Sequence, residues 1–379
     1  MPDYCMIYTG DWRQGVRREG IIDLGPGYPD PALLPSGLLA DAATAVLTRH
    51  AAEALSYGAN TGPRQLRAFL AEQVPGCPPE QVVTTAGTSS ALSGVAAELG
   101  RRGAVVLTES LTYDLGRQIF VDRGLRVEAV PGPVDDLDID RLRRFLAGRR
   151  EPVAFYVMPT FHNPTGRVLG VERRTELLEL AARTGMTIVE DHAYSRLSFD
   201  QVPAPLWSLS DDREKVITLL SLSKCLAPGL RLGGVVGSTE LLDRLARDGE
   251  RASGGGANHL TAATVAHAVA TGAVARHVED LVGELRRRRD ALYSALAGRL
   301  PPGLTITRPT GGYFQWIGLP TVAYEAMLLA AAENLGVSFA PGSRFGSGHP
   351  GVRLCFAAHR PDDLIFAAER LVRAAEQIG

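Results

Sequence analysis

The sequence predicts an α/β protein: a large domain with a mainly parallel sheet flanked by helices, plus a smaller α+β domain. Three observations point there. Short apolar runs alternate with amphipathic helical stretches from residue 64 to residue 237. Most of those runs are dominated by apolar residues, as in strands covered on both faces. After residue 275 the alternation stops and a long Arg-rich helical stretch begins. At 379 residues the chain is also too long for one small core.

Taken in order, RQLRAFLAEQ (64–73) has helical spacing. VVTTAG (82–87) reads as a strand, and TSSALSGVAAELG after it as a helix. AVVLTE (104–109) and LRVEAVP (125–131) read as strands with a helix between them. DIDRLRRFLAG (138–148) is helical, VAFYVMP (153–159) a strand, 171–184 a helix and TIVED (187–191) a strand. KVITLLSLS (215–223) and RLGGVVG (231–237) complete the series. Beyond them come a helix over 276–299, the segment GGYFQWIGL, a helix over 322–335, SFAPGS, VRLCFAA and a closing helix over 361–377. This divides the chain into an N-terminal arm and part of the small domain (1–48), a large domain (49–275) and a C-terminal small domain (276–379). RASGGGAN (251–258), near the junction, reads as a linker or as part of a site.

Composition narrows the functional classes. The chain is 45% hydrophobic and 22% charged, with a formal charge of −2. Neither nucleic acid nor an anionic membrane is favoured by that balance. No apolar run reaches spanning length, and the first twenty residues lack the layout of a signal peptide. Cys5, Cys77, Cys225 and Cys355 are far apart with no CxxC pair, as in a cytoplasmic protein with reduced thiols.

In a sheet of this kind ligands bind beyond the carboxyl ends of the strands, and four polar clusters fall there. AGTSSA (86–91) joins a strand to a helix: Gly87 permits close backbone approach and the helix start offers N–H groups to an anion. A plain N-cap at Thr88 or Ser89 explains the same residues. MPTFHNPTG (158–166) sets Asn163 and a Pro-Gly turn after a buried strand. TIVEDHAY (187–194) ends an apolar strand with Glu190 and Asp191. A metal is not favoured there, because the eight histidines are scattered without an HExxH. SLSKCLAPGLRLG (221–233) gathers two serines, Lys224 and Arg231 between apolar flanks. Only two of the 40 basic residues are lysines, Lys215 and Lys224. An amine can form an imine where a guanidinium cannot. A phosphate, a carbonyl for the lysine and a basic ring nitrogen for the acid together describe pyridoxal phosphate.

With these motifs the chain resembles the fold-type I pyridoxal-phosphate enzymes, specifically the class I/II aminotransferases. The likeness is to the branch with α-aminoadipate and kynurenine aminotransferases and the aminotransferase-like domains of MocR-type regulators. Landmarks follow in family order from IIDLGPGYPD (21–30): YGANTGPRQLR, AGTSSAL, ESLTYDLG, FHNPTG, EDHAY, SLSKCLAPGLRLG, TGGYFQW and VRLCFAA.

The resemblance implies a role for each matching residue. Lys224 matches the Schiff-base lysine that also relays the substrate proton. Asp191 matches the partner of the ring nitrogen. Asn163 and Tyr194 match the groups bonded to the ring oxygen, and Tyr113 the aromatic stacked on the ring. Gly87, Thr88, Ser89, Ser221, Ser223 and Arg231 match the phosphate site, to which Tyr57 reaches from a partner subunit. Gly25, Asn163 and Arg353 match the substrate-carboxylate site, with Arg353 in a bidentate grip. A homodimer with shared active sites is implied. Three features depart from relatives: His192 beside the acid, the SGGGAN stretch, and Arg13, Arg17 and Arg18 in the N-terminal arm.

The expected activity is transfer of an amino group from an L-α-amino acid to a 2-oxo acid. Elimination, replacement or cyclisation on the same scaffold is the alternative. A cofactor-sensing regulator is not expected, because only about twenty residues precede the first landmark, too few for a DNA-binding domain.

Overall fold

The computed structural model describes residues 18–378. A two-residue strand β1 (Ile22–Asp23) precedes the large sheet. That sheet contains β2 (Val82–Thr85), β3 (Val105–Glu109), β4 (Arg126–Val130), β5 (Val153–Val157), β6 (Thr187–Asp191), β7 (Val216–Ser221) and β8 (Gly233–Val236). Their order is β2-β8-β7-β6-β5-β3-β4. Only β8 runs antiparallel to its neighbours, so the sheet is mixed but mostly parallel. Every residue of β3, β5 and β7 is buried, as expected for strands sandwiched between helical layers.

Local chemistry sets several boundaries. The helix Ile139–Leu146 starts where Asp138 Oδ1 accepts from the Arg141 N–H at 2.8 Å. It buries Ile139, Leu142 and Leu146, each contributing about 1.5–3 kcal/mol of apolar burial. The helix Val171–Thr184 ends at Gly185, whose φ of 70° suits a residue without Cβ. Arg174 on that helix is fully buried and held by the carbonyls of Pro159, Leu169 and Ala204.

The second sheet is antiparallel. It contains β9 (Thr305–Ile306), β10 (Phe314–Gly318), β12 (Ala340–Pro341) and β13 (Gly351–Cys355), in the order β12-β13-β10-β9. Between them in sequence, β11 (Val337–Ser338) pairs with β1 in parallel and ties the N-terminal segment to this sheet's side of the molecule. The helix Val322–Asn334 packs on β11, β12 and β13, and Pro361–Ile378 packs between it and Ala273–Leu296.

RASGGGAN is largely exposed but anchored at Arg251. Arg251–Gly255 forms a single wide helical turn, and Arg251 Nη1 donates to the Thr84 carbonyl at 2.7 Å. Gly254 has a φ of 100°, and a Cβ there would stand 2.5 Å from the Tyr57 ring. Arg18 makes exposed ion pairs with Glu333 at 2.8 Å and Asp23 at 3.1 Å; Arg13 and Arg17 lie outside the described residues. Among the described residues no helix is long and apolar enough to cross a membrane.

Candidate active site

The register of the large sheet brings three of the polar clusters together. Gly233 lies opposite Thr85 on one side and Ser221 on the other. The turns leaving β2 and β7 and the turn entering β8 therefore meet at one end of the sheet. The helix Gly87–Arg101 begins there with no side-chain cap, which leaves its first-turn N–H groups open. Gly87 has a φ of 80°, and a Cβ on it would stand 2.6 Å from Arg231 Nη2. Arg231 itself adopts a left-handed conformation (φ 49°, ψ 56°), an unfavourable one for a residue with a side chain. Its guanidinium makes only long bonds, to Ser223 Oγ at 3.4 Å, Pro228 O at 3.3 Å and Ala86 O at 3.4 Å. The Thr88 hydroxyl donates to the Leu220 carbonyl at 3.3 Å, and Ser221 Oγ accepts from the Ser223 N–H at 3.2 Å. Ser89 is exposed at the helix start.

Asp191 ends β6 at the same edge, 2% exposed. Its Oδ2 accepts from the Tyr156 hydroxyl at 2.7 Å and its Oδ1 from the Ala193 N–H at 3.1 Å. Burial pushes its pKa up to about 6, against the pull of those two donors and of Lys224. Tyr113 lies nearby, half-buried, with its pKa raised to about 12 by burial and then by Asp114 and Asp191. Tyr194 packs edge-on against Tyr313 and Phe314, with centroids 5.5 and 5.4 Å away.

Lys224 and Arg353 approach from different sheets. The Lys224 amine donates to the Gly27 carbonyl at 2.5 Å and lies 5.7 Å from the Tyr194 ring and 5.8 Å from the Tyr313 ring. Desolvation pulls it down to about 8, although the Cys355 and Asp191 side chains act in the opposite direction. The Tyr313 hydroxyl donates to the Lys224 backbone carbonyl at 2.5 Å. Arg353, on β13, is 5% exposed and lies between Phe314 and Phe345, with its Cζ 4.2 and 4.6 Å from their centroids. Its Nη1 donates to Asn163 Oδ1 at 2.7 Å and its Nη2 to the Gly25 carbonyl. Its Nε is buried with no partner.

The chain as a whole has known relatives. The aminotransferase class I and II family matches residues 20–371. The 2-aminoadipate transaminase of Thermus thermophilus is 32% identical over 95% of this chain and 91% of its own. The crystal structure of an α-aminoadipate aminotransferase from Thermus thermophilus, complexed with N-(5′-phosphopyridoxyl)-L-leucine, superposes with a TM-score of 0.84 at 31% identity, covering 95% of this chain and 93% of that one. A Pyrococcus horikoshii kynurenine aminotransferase structure gives 0.86 at 27% identity, covering 95% and 91%.

The chain belongs to the class I and II aminotransferases. It has their fold-type I architecture, is a pyridoxal-phosphate enzyme, and has aminotransferase activity.

The residues of this aminotransferase fit that cofactor and its substrates. The open helix start beside Arg231 suits one anion, and the orphaned Nε of Arg353 calls for another. Lys224 has its amine enclosed between the two by tyrosines. Of the sequence-predicted residues, all but one gather at this end of the sheet or on the Gly25 segment beside it. Tyr57 stands apart, 88% exposed. His192 is buried beside Asp191, and its Nδ1 faces Glu190 Oε1 at 3.9 Å.

Four contributors escaped the sequence reading. Tyr156 sits within the apolar run VAFYV, and only its need for a buried partner for the hydroxyl could have signalled it. Tyr313 and Phe314 lie in TGGYFQW, where the motif was visible but the contacts were not. The Gly27 carbonyl gave no signal beyond the glycine itself.

Proposed function

We propose that this aminotransferase moves the amino group of an L-α-amino acid to a 2-oxo acid using Lys224 as the cofactor-bearing and proton-moving group. The carrying observation is that Lys224 Nζ and Arg353 Nη2 end on two carbonyls of one short segment, Gly27 and Gly25. A substrate carboxylate at Arg353 then points its Cα toward the amine.

Pyridoxal phosphate, when bound, supplies an aldehyde for amines and a protonated ring that accepts the electron pair released at Cα. The chain's residues supply the rest. Lys224 Nζ takes the proton from Cα and returns it to the other side of the reacting bond. A desolvated amine with its pKa near 8 is matched to that work at neutral pH. Asp191 holds the ring nitrogen proton as its counter-charge. Asn163 and Tyr194 donate to the ring oxygen, and Tyr113 stacks on the ring. The N–H groups at Gly87, Thr88 and Ser89, the hydroxyls of Ser221 and Ser223 and the Arg231 guanidinium hold the phosphate. Arg353, Asn163 and the Gly25 backbone orient the substrate carboxylate.

A homodimer completes this reading. Tyr57 is largely exposed and its ring lies beside Gly254, which suits a side chain that serves a second copy. The two sheets belong, in the same reading, to a large domain over 49–275 and a small one formed by 1–48 and 276–379. A cytoplasmic setting agrees with the unpaired Cys77, Cys225 and Cys355.

The test is a panel of amino acids mixed with holoenzyme and no acceptor, 2-aminoadipate and kynurenine first because two relatives are named for them. One equivalent of oxo acid, with the cofactor left in its amine form, supports the reading. Repeated turnover without acceptor, by elimination or ring closure, would replace it with the lyase or cyclase alternative.

A further inference from the structure

We propose that Tyr156 is a positioning residue that keeps Asp191 ionised and aimed at the cofactor ring. The inference rests on the reading of Asp191 as the ring-nitrogen partner. Tyr156 is the fourth of the five residues of β5, in direct register with Val189 of β6, and is fully buried. Its hydroxyl reaches Asp191 Oδ2 at 2.7 Å. Phe120 fixes the ring edge-on at 5.5 Å. Gly116 makes room for the hydroxyl, since a Cβ there would stand 3.0 Å from both the Tyr156 oxygen and the Tyr113 ring.

The chemistry follows from what each group can donate. A tyrosine has one hydroxyl hydrogen and the Ala193 N–H has one more. Both are spent on Asp191, one on each oxygen. Two donors and no acceptor favour the carboxylate over the acid, in a place where burial favours the acid. The other groups bearing on Asp191 are Lys224 from the turn after β7, Glu190 on its own strand, Tyr113 from the turn after β3, and Tyr194 beyond β6. Lys224 is the only cation among them, and it is committed to the cofactor aldehyde in the proposed function. Tyr156 is then the side chain left to hold the charge.

Removing the hydroxyl raises the proton affinity of Asp191, so the shared proton moves from the ring toward the acid. The experiment uses Tyr156→Phe holoenzyme loaded with cofactor labelled with nitrogen-15 in the ring. Wild type shows the ring nitrogen in its protonated position by NMR. Tyr156→Phe shifts it toward the neutral-pyridine position, lowers kcat roughly tenfold or more and leaves KM nearly unchanged. In the ligand-free protein, the carbon-13 titration of the Asp191 carboxyl rises by about one pH unit. Superimposable spectra for wild type and Tyr156→Phe, with Asp191→Asn clearly altered, overturn the proposal and leave Asp191 in its role. An unaltered ring-nitrogen signal in Asp191→Asn overturns the role of Asp191 and the proposal with it. If Tyr156→Phe does not fold, the double variant with Asp191→Asn, which buries no unpaired charge, is compared with Asp191→Asn alone. The proposal requires those two to match in kcat and ring-nitrogen position, and a further loss in the double variant contradicts it.

Discussion

Arg353 Nη1 donates to Asn163 Oδ1 at 2.7 Å, joining a strand of the small sheet to the loop that follows β5 of the large one. The guanidinium is held between Phe314 and Phe345 while its Nε stays unpartnered. A planar fork fixed in this way recognises a carboxylate better than a point charge does. Arg353→Lys keeps the charge and loses the fork. It is expected to lower kcat/KM for amino acids by about ten- to a hundredfold, mostly through KM, in steady-state assays.

In the proposed function Lys224 takes up cofactor only as the neutral amine. With its pKa lowered to about 8, the neutral fraction grows as pH rises toward 8 and is nearly complete a unit above. The rate at which ligand-free protein binds pyridoxal phosphate covalently is expected to climb and level off near there. Stopped-flow absorbance across the pH range checks this; a rate still climbing above pH 10 contradicts the desolvated amine.

Gly87→Ala places a methyl 2.6 Å from Arg231 Nη2 and forces a side chain into a φ of 80°. The proposed phosphate cradle has no room for it unless Arg231 moves. Cofactor affinity is expected to fall at least about tenfold in equilibrium titration, because Arg231 must shift from the helix start to admit the methyl. The strained φ, present with or without ligand, costs the chain about 1–3 kcal/mol of stability.

Tyr313→Phe removes the hydroxyl that donates to the Lys224 carbonyl. Leaving that carbonyl without its donor costs about 1–3 kcal/mol of stability. Chemical denaturation of the ligand-free protein measures it. The slower cofactor uptake expected from a less constrained Lys224 is read from the same stopped-flow trace.

Asp191 carries a stability signature of its own. Its pKa is raised from 3.8 to about 6 in the fold, so the folded state binds its proton more tightly than the unfolded chain does. The stabilisation this gives is fully present below about pH 4 and is lost as pH rises through 6. Asp191→Asn cannot titrate. Relative to that variant, the ligand-free wild type is expected to lose up to about 3 kcal/mol between pH 4 and pH 6. Denaturant titrations of both proteins at several pH values test the sign.

The alternation of buried strands and amphipathic helices is written locally, and it was legible. Val171–Thr184 and Thr187–Asp191 lie where the spacing placed them, because Gly170 and Gly185 bound the helix. Lys224, Asp191, Asn163 and Arg231 stood out as candidates because each falls in a polar cluster beside a buried apolar run. What could not be read were relations between distant segments. The parallel pairing of Ile22–Asp23 with Val337–Ser338 joins residues more than three hundred apart. The reversed direction of β8 leaves no trace in RLGGVVG. Tyr156 and Tyr313 look like core aromatics until their hydroxyls are traced to Asp191 and Lys224.

The central claim is that Lys224 carries the cofactor. Borohydride reduction of the holoenzyme, digestion and peptide mass mapping test it most directly. The account predicts one phosphopyridoxyl group per chain, on the peptide containing Lys224, and none in Lys224→Ala. A label on Lys215, or an unlabelled Lys224 peptide from enzyme that still turns over, would contradict it.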